Sequence, residues 1–117
     1  MHNCKELTIW LDSFEIAKVV YDYSAHIPQK EDYGLISQMR RCSVSVPSNI
    51  AEGASRSSDK NFCRFLEIVL GSSFELQTQI ELSQELFKIE YAMIDELYLK
   101  LTKNQKMIRS LINKLRL

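Results

Sequence analysis

Glycine and proline are scarce, with three glycines and two prolines in 117 residues, and no Asn-Gly, Asp-Gly or Gly-Gly pair occurs anywhere. The turn chemistry of β-hairpins is therefore missing, which leaves an all-α chain as the expectation. No run approaches the roughly 20 apolar residues that a bilayer-spanning helix needs. The opening residues, Met1 to Glu6, do not lead from a basic segment into an apolar one, so a cytoplasmic protein without membrane contact is expected. An excess of either charge is also lacking: fifteen Lys and Arg balance fifteen Asp and Glu. No global field draws the chain to nucleic acid, and any such binding must be local. The three cysteines, Cys4, Cys42 and Cys63, are odd in number and show no CxxC spacing, which suits reduced, mostly buried thiols. The only histidines are His2 and His26, and neither completes the Glu-x-x-His motif of carboxylate-bridged metal bundles. Ser45 and Ser48 have no histidine placed by sequence as a base and are expected to bond nearby backbone. No catalytic residue, metal ligand or cofactor site is therefore expected, and the chain is read as not an enzyme.

What the chain does have is apolar residues at helical spacing. A hydrophobic content of 45% is ample for one domain spanning residues 1–117. Trp10, Phe14, Ala17 and Tyr21 recur at steps of four and three, predicting a first helix from about Leu7 to Ala25 with that face inward. It ends before Ile27-Pro28, because proline disfavours helical geometry in the residue preceding it. A second helix from about Tyr33 to Ala54 carries Leu35, Met39, Cys42, Val46, Asn49 and Gly53 on one seam. Pro47 falls within its span, removing one backbone donor and crowding the Ser43 carbonyl, so a kink or local widening is expected. Ser57 or Ser58 is suited to cap a third helix, with Asp59 near its positive end. That helix holds a 4-3 seam from Phe62 through Leu66, Val69, Ser73, Leu76, Ile80 and Ser83 to Phe87. A fourth, from about Met93 to Leu115, repeats the pattern through Leu97, Leu101, Ile108, Leu111 and Leu115. Short links between such helices predict an antiparallel up-down-up-down bundle.

Two further features concern partners. Between Phe62 and Leu76 the third helix also carries Cys63, Phe65, Ile68, Leu70, Gly71, Ser72 and Phe74 off its seam. A helix that is apolar on nearly all sides predicts burial on nearly all sides, hence self-association, with Leu70→Glu or Phe74→Glu expected to split the assembly or cause misfolding. Asn49 and Glu52, on or beside the packed seam, are expected to set register and oligomeric state. For phosphate contact the candidates are Arg40 and Arg41, of which at least one should point outward, and the basic last helix with Lys100, Lys103, Lys106 and Arg109. At 100° per residue these four, together with Lys114 and Arg116, spread around the helix instead of forming a stripe, and basic residues near its C-terminus also complement the helix dipole.

Three segments carry a resemblance covering almost the whole chain: Tyr33-Gly34-Leu35-Ile36-Ser37-Gln38-Met39-Arg40-Arg41, then Val44-Ser45-Val46-Pro47-Ser48-Asn49-Ile50-Ala51-Glu52-Gly53, then Phe65 through Leu76 (FLEIVLGSSFEL). In this order and spacing the chain resembles the four-helix-bundle proteins called 23S rRNA-intervening-sequence proteins. The resemblance implies an antiparallel four-helix bundle assembled as a homopentamer ring, a noncatalytic scaffold with no assigned biochemical role. It also implies kinship with a branch that acts beside the reverse transcriptase of diversity-generating retroelements and binds nucleic acid, RNA or DNA, together with that protein partner.

Overall fold

The computed structural model describes residues 1–117, and its order is α1 (Thr8–Ser24), α2 (Ser37–Ala54), α3 (Asp59–Phe87) and α4 (Ile94–Leu115), with no strand. Each helix packs on the next, and α4 returns to α1. Their directions follow from the pairs that meet. The Asn104 amide donates to the Ile9 carbonyl at 3.2 Å near the start of α1, and the Tyr23 hydroxyl meets Ser83 at 2.6 Å near the ends of α1 and α3. Backbone N–H of His2 reaches the Ala54 carbonyl at 2.8 Å, bringing the end of α2 to the start of the chain. Successive helices therefore run in opposite directions.

Local chemistry sets the ends. Ser58 caps α3 by accepting the Asn61 N–H at 3.2 Å, and Asp59 opens its first turn, where a carboxylate complements the helix dipole. At the other end Lys88 adopts the left-handed conformation (φ 48°, ψ 48°) and returns its N–H to Gln84. A non-glycine in that position ends the long helix where the sequence offers neither glycine nor proline. The second helix begins later than Tyr33. Asp32–Ile36 is a wide π-type turn in which Gly34 departs from helical geometry, and Glu31 accepts the Leu35 N–H at 3.3 Å. Pro47 does not end α2, which continues on both sides of it. Ser45 donates back to the Cys42 carbonyl at 2.9 Å, and the Asn49 amide donates to the Ser45 carbonyl at 2.8 Å.

The core is divided. One cluster gathers Ile16, Val20, Tyr23, Met39, Leu76, Ile80, Leu97 and Leu101 with their neighbours; the other gathers Ile9, Val46, Ile50, Phe62, Leu66, Val69, Ile108 and Ile112 with theirs. Between them each helix contributes a buried polar residue: Ser13, Ser43, Ser73 and the pair Asn104 and Gln105. All are satisfied. Ser13 and Ser43 donate to the carbonyls of Trp10 and Arg40, and Gln105 donates to Ser73 Oγ at 3.1 Å and to Gln77 Oε1 at 3.0 Å. This polar waist links α3 to α4 and, through Asn104 and Ile9, α4 to α1.

The α3 seam lies as its spacing predicts, buried from Phe62 to Ser83 with Phe87 half-buried. The α1 face does not. Its buried line is Ile9, Ser13, Ile16 and Val20, one residue before Trp10, Phe14, Ala17 and Tyr21, because two serines occupy core positions there and satisfy their hydroxyls on their own helix. On α2, Ile50 is fully buried where Asn49 was expected, and on α4 the seam passes through Asn104 and Ile112, with Leu111 and Leu115 half-buried.

Candidate interaction surfaces

Displacing the α1 stripe by one residue leaves it on the surface. Trp10, Phe14 and Tyr21 of α1 line a groove of about 560 Å³ with Val44, Pro47 and Ala51 of α2. Phe14 is 49% exposed and Val44 44%. Lys18 lines its α1 side and pairs with Glu15 at 3.4 Å. At the end nearer the start of α2, the Arg40 guanidinium lies over the Tyr21 ring at 4.9 Å, and its Nε donates to Ser24 Oγ at 2.8 Å. Arg40 is thus half-buried and clamps α1 to α2, whereas Arg41 is exposed, so only Arg41 is free of contacts within the chain to meet a partner. Sequence reasoning missed this groove, although its signal was the very stripe assigned to the core.

A second surface runs along the outside of α3. Ile68, Gly71, Glu75, Thr78, Leu82 and Glu85 recur at alternating steps of three and four, and all are exposed. Leu86 extends the line. The residues expected to meet partners divide here. Phe74 is 52% exposed, but Leu70 belongs to the core cluster at 6% exposure, so Leu70→Glu tests the fold and not an interface. Phe65 is half-buried beneath the Arg56 guanidinium, 5.0 Å above its ring. Gly53 serves helix packing within the chain: a Cβ there would lie 2.5 Å from the Phe65 Cβ. Glu52 is exposed and pairs with Arg56 at 3.1 Å, and Asn49 bonds within its own helix, so neither sets register across the bundle.

The basic candidates of α4 separate in the same way. Lys100 pairs with Glu96 at 3.6 Å, and Lys103 stands exposed. Lys106 and Arg109 come together on a groove of about 590 Å³ between α3 and α4, beside Phe74, Thr102 and Ser110, with no carboxylate among its lining residues. Arg116 is bound by Glu67 and plays no part there.

Titratable groups are perturbed chiefly by burial, and three of the four, Tyr23, Tyr91 and Tyr98, gather at one core cluster, with the Tyr23 and Tyr91 rings 5.3 Å apart. Burial, reinforced by the thiol's bond to Glu75 at 3.3 Å, pushes Cys42 up to about 11. Tyr98 is pushed to about 12 by burial and by Glu81, and Tyr91 to about 12 by burial and by Asp22, whose carboxylate accepts its hydroxyl at 2.6 Å. Tyr23 is raised by burial, tempered by its bond to Ser83. Cys42 and Cys63 are buried and Cys4 half-buried, all as free thiols. No three His, Cys, Asp or Glu side chains come together in a group able to hold a metal ion. No helix is long and apolar enough to cross a membrane.

The model of the 23S rRNA-intervening sequence protein family matches residues 5–110. The chain belongs to that family. No curated protein matches it. Within the 23S rRNA-intervening sequence family match fall both grooves and the whole outer line of α3, so the surfaces described above are parts of the family's domain and not appendages to it.

Proposed function

We propose that this chain is a noncatalytic, self-associating four-helix scaffold, assembled as a homopentamer ring in the cytoplasm, which presents its surfaces to other macromolecules. The observation that carries the reading is the amount of apolar side chain left without a partner by a bundle whose core is already closed. Phe14, Tyr21 and Val44 on one side, and Ile68, Phe74, Leu82 and Leu86 on another, are all at least 44% exposed. Large apolar side chains left exposed in this number on a closed bundle mark places for another chain to sit. Native mass spectrometry across a range of protein concentrations tests it: an oligomer supports the reading, and a monomer throughout the range overturns it.

A second reading, that of an accessory factor contacting RNA or DNA beside a protein such as a reverse transcriptase, is favoured by one specific arrangement. Lys106 and Arg109 line one groove with the exposed Phe74, offering cations for phosphate and a flat face for a base. Binding to labelled single-stranded RNA should weaken with salt, and Lys106→Ala with Arg109→Ala should flatten the log-log slope by about 0.7 per lost phosphate contact. An unchanged slope removes this site from consideration.

A further inference from the structure

We infer that Gln105 reads the base of a nucleotide seated in the α3–α4 groove, its side-chain oxygen accepting an N–H from the base edge while Lys106 and Arg109 hold the phosphate. The inference rests on the accessory-factor reading above and adds what the site distinguishes. Gln105 is only 8% exposed, and it lines that groove. Both hydrogens of its amide nitrogen are donated to α3, one to Ser73 Oγ at 3.1 Å and one to Gln77 Oε1 at 3.0 Å. Its Oε1 accepts nothing from the chain. The one sealed side-chain atom without a partner is Gln79 Oε1, so the Gln105 oxygen is open to the groove.

The direction of that amide is set from a distance. Glu81 is an exposed carboxylate that can only accept, and it takes a hydrogen of Gln77 Nε2 at 3.2 Å. Gln77 then presents its oxygen to Gln105, and Gln105 its nitrogen to Gln77. A polarised chain of two amides therefore runs from the surface to the groove and leaves an acceptor there instead of a donor.

A lone acceptor repels an anion and recruits an N–H. The rest of the lining has the opposite preference, since Lys106 and Arg109 have no carboxylate partner within the chain. Thr102, Lys106 and Arg109 follow one another on α4 at steps of four and three, with Gln105 next to Lys106, so cations and acceptor share one face. Phe74, next to the Ser73 that Gln105 bonds, lines the same groove and is 52% exposed. A ligand that satisfies all three groups carries a negative charge, a flat ring and an N–H on the edge of that ring, which is the chemistry of a nucleotide. The groove, about 590 Å³, is of a size for one such unit.

The test compares adenine with purine, which differs only in lacking the exocyclic amino group. Anisotropy measures binding of a short labelled oligoadenylate and of the same strand built from purine ribonucleotides to the unaltered chain, Gln105→Met and Glu81→Lys, with Lys106→Ala plus Arg109→Ala marking the site. The unaltered chain should prefer the adenine strand by about 2- to 10-fold, the effect of one hydrogen bond. Glu81→Lys offers Gln77 a donor in place of an acceptor and so reverses both amides; the preference should be lost there and in Gln105→Met. Because Glu81 is exposed, its variant carries the test if Gln105→Met loses helicity. Equal binding of the two strands by the unaltered chain, or a preference kept by either folded variant, overturns the role of Gln105 and leaves the accessory-factor reading standing. No binding at low salt, or binding untouched by loss of Lys106 and Arg109, overturns both. Competition with adenosine 5′-monophosphate separates the two sources of this chemistry: displacement of the strand makes the occupant a free nucleotide, and displacement by unlabelled strand alone makes it one unit of a longer chain.

Discussion

Gly53 and Gly71 are the same residue type in two adjacent helices, with opposite physical roles. At Gly53 the backbone of α2 lies so close to α3 that an added Cβ meets both Phe65 and Phe62, whereas at Gly71 the added methyl meets open space. Gly53→Ala should therefore lower stability by about 1–3 kcal/mol through overpacking, and Gly71→Ala should raise it by roughly 0.5–1 kcal/mol by stiffening the unfolded chain and favouring helix. Urea denaturation of each variant, made at concentrations where the chain is monomeric, checks both signs. Their difference was not legible in the sequence, where both glycines stand at helical spacing among apolar neighbours. Nor was the fate of Arg40. Adjacent arginines look equivalent in a string of letters, but Tyr21 and Ser24 on the neighbouring helix take one of them.

At the scale of the helices, the third was readable almost in full because its core positions are nearly all apolar or small and its cap, Ser58, precedes them directly. The first was readable in extent but not in orientation. Counting apolar residues selects Trp10, Phe14, Ala17 and Tyr21; the side actually buried includes Ser13 and Ser24, whose hydroxyls bond to the carbonyls three residues earlier. A serine satisfied in this way is small and locally neutralised, so it packs as well as an alanine and leaves no hydrophobic signal. The residue that follows α3 tells a similar story. Lys88 occupies a left-handed position that a side chain tolerates poorly, and its φ of 48° is the only positive value among the non-glycine residues. Lys88→Gly should raise stability by about 1 kcal/mol, read from the urea midpoint, because the Cβ clash disappears while the N–H to Gln84 remains. An unchanged or lower midpoint would show that the turn derives more from the lysine stem over solvent-facing surface than its backbone geometry indicates.

For the whole molecule, alkaline pH is the condition that the buried acids oppose. In the unfolded chain the Cys42 thiol ionises near its ordinary 9.0, but in the fold it stays protonated until about 11. Between these values the unfolded state binds fewer protons, so stability is fully present below about pH 9 and falls as pH rises towards 11. Tyr91 and Tyr98, held near 12 against an ordinary 10.0, extend the fall in the same direction. The denaturant midpoint should decline from pH 9 to 12, less steeply in the first half of that range for Cys42→Val; a flat profile would contradict the burial of these groups. Overall architecture was legible because helix periodicity alone specifies four amphipathic rods, yet the waist was not: Ser73 falls on a seam that its spacing marks, but Ser13, Ser43, Asn104 and Gln105 look like interruptions until they are seen to lie with it between the two core clusters. That waist gives the rods a node. Each apolar half holds together by its own contacts, so amide exchange should resolve two protected blocks with separate opening free energies, one around Tyr23 and Leu97 and one around Phe62 and Ile108. The bundle then behaves as two stacked cooperative units sharing a polar joint, able to loosen at one end while the other stays closed.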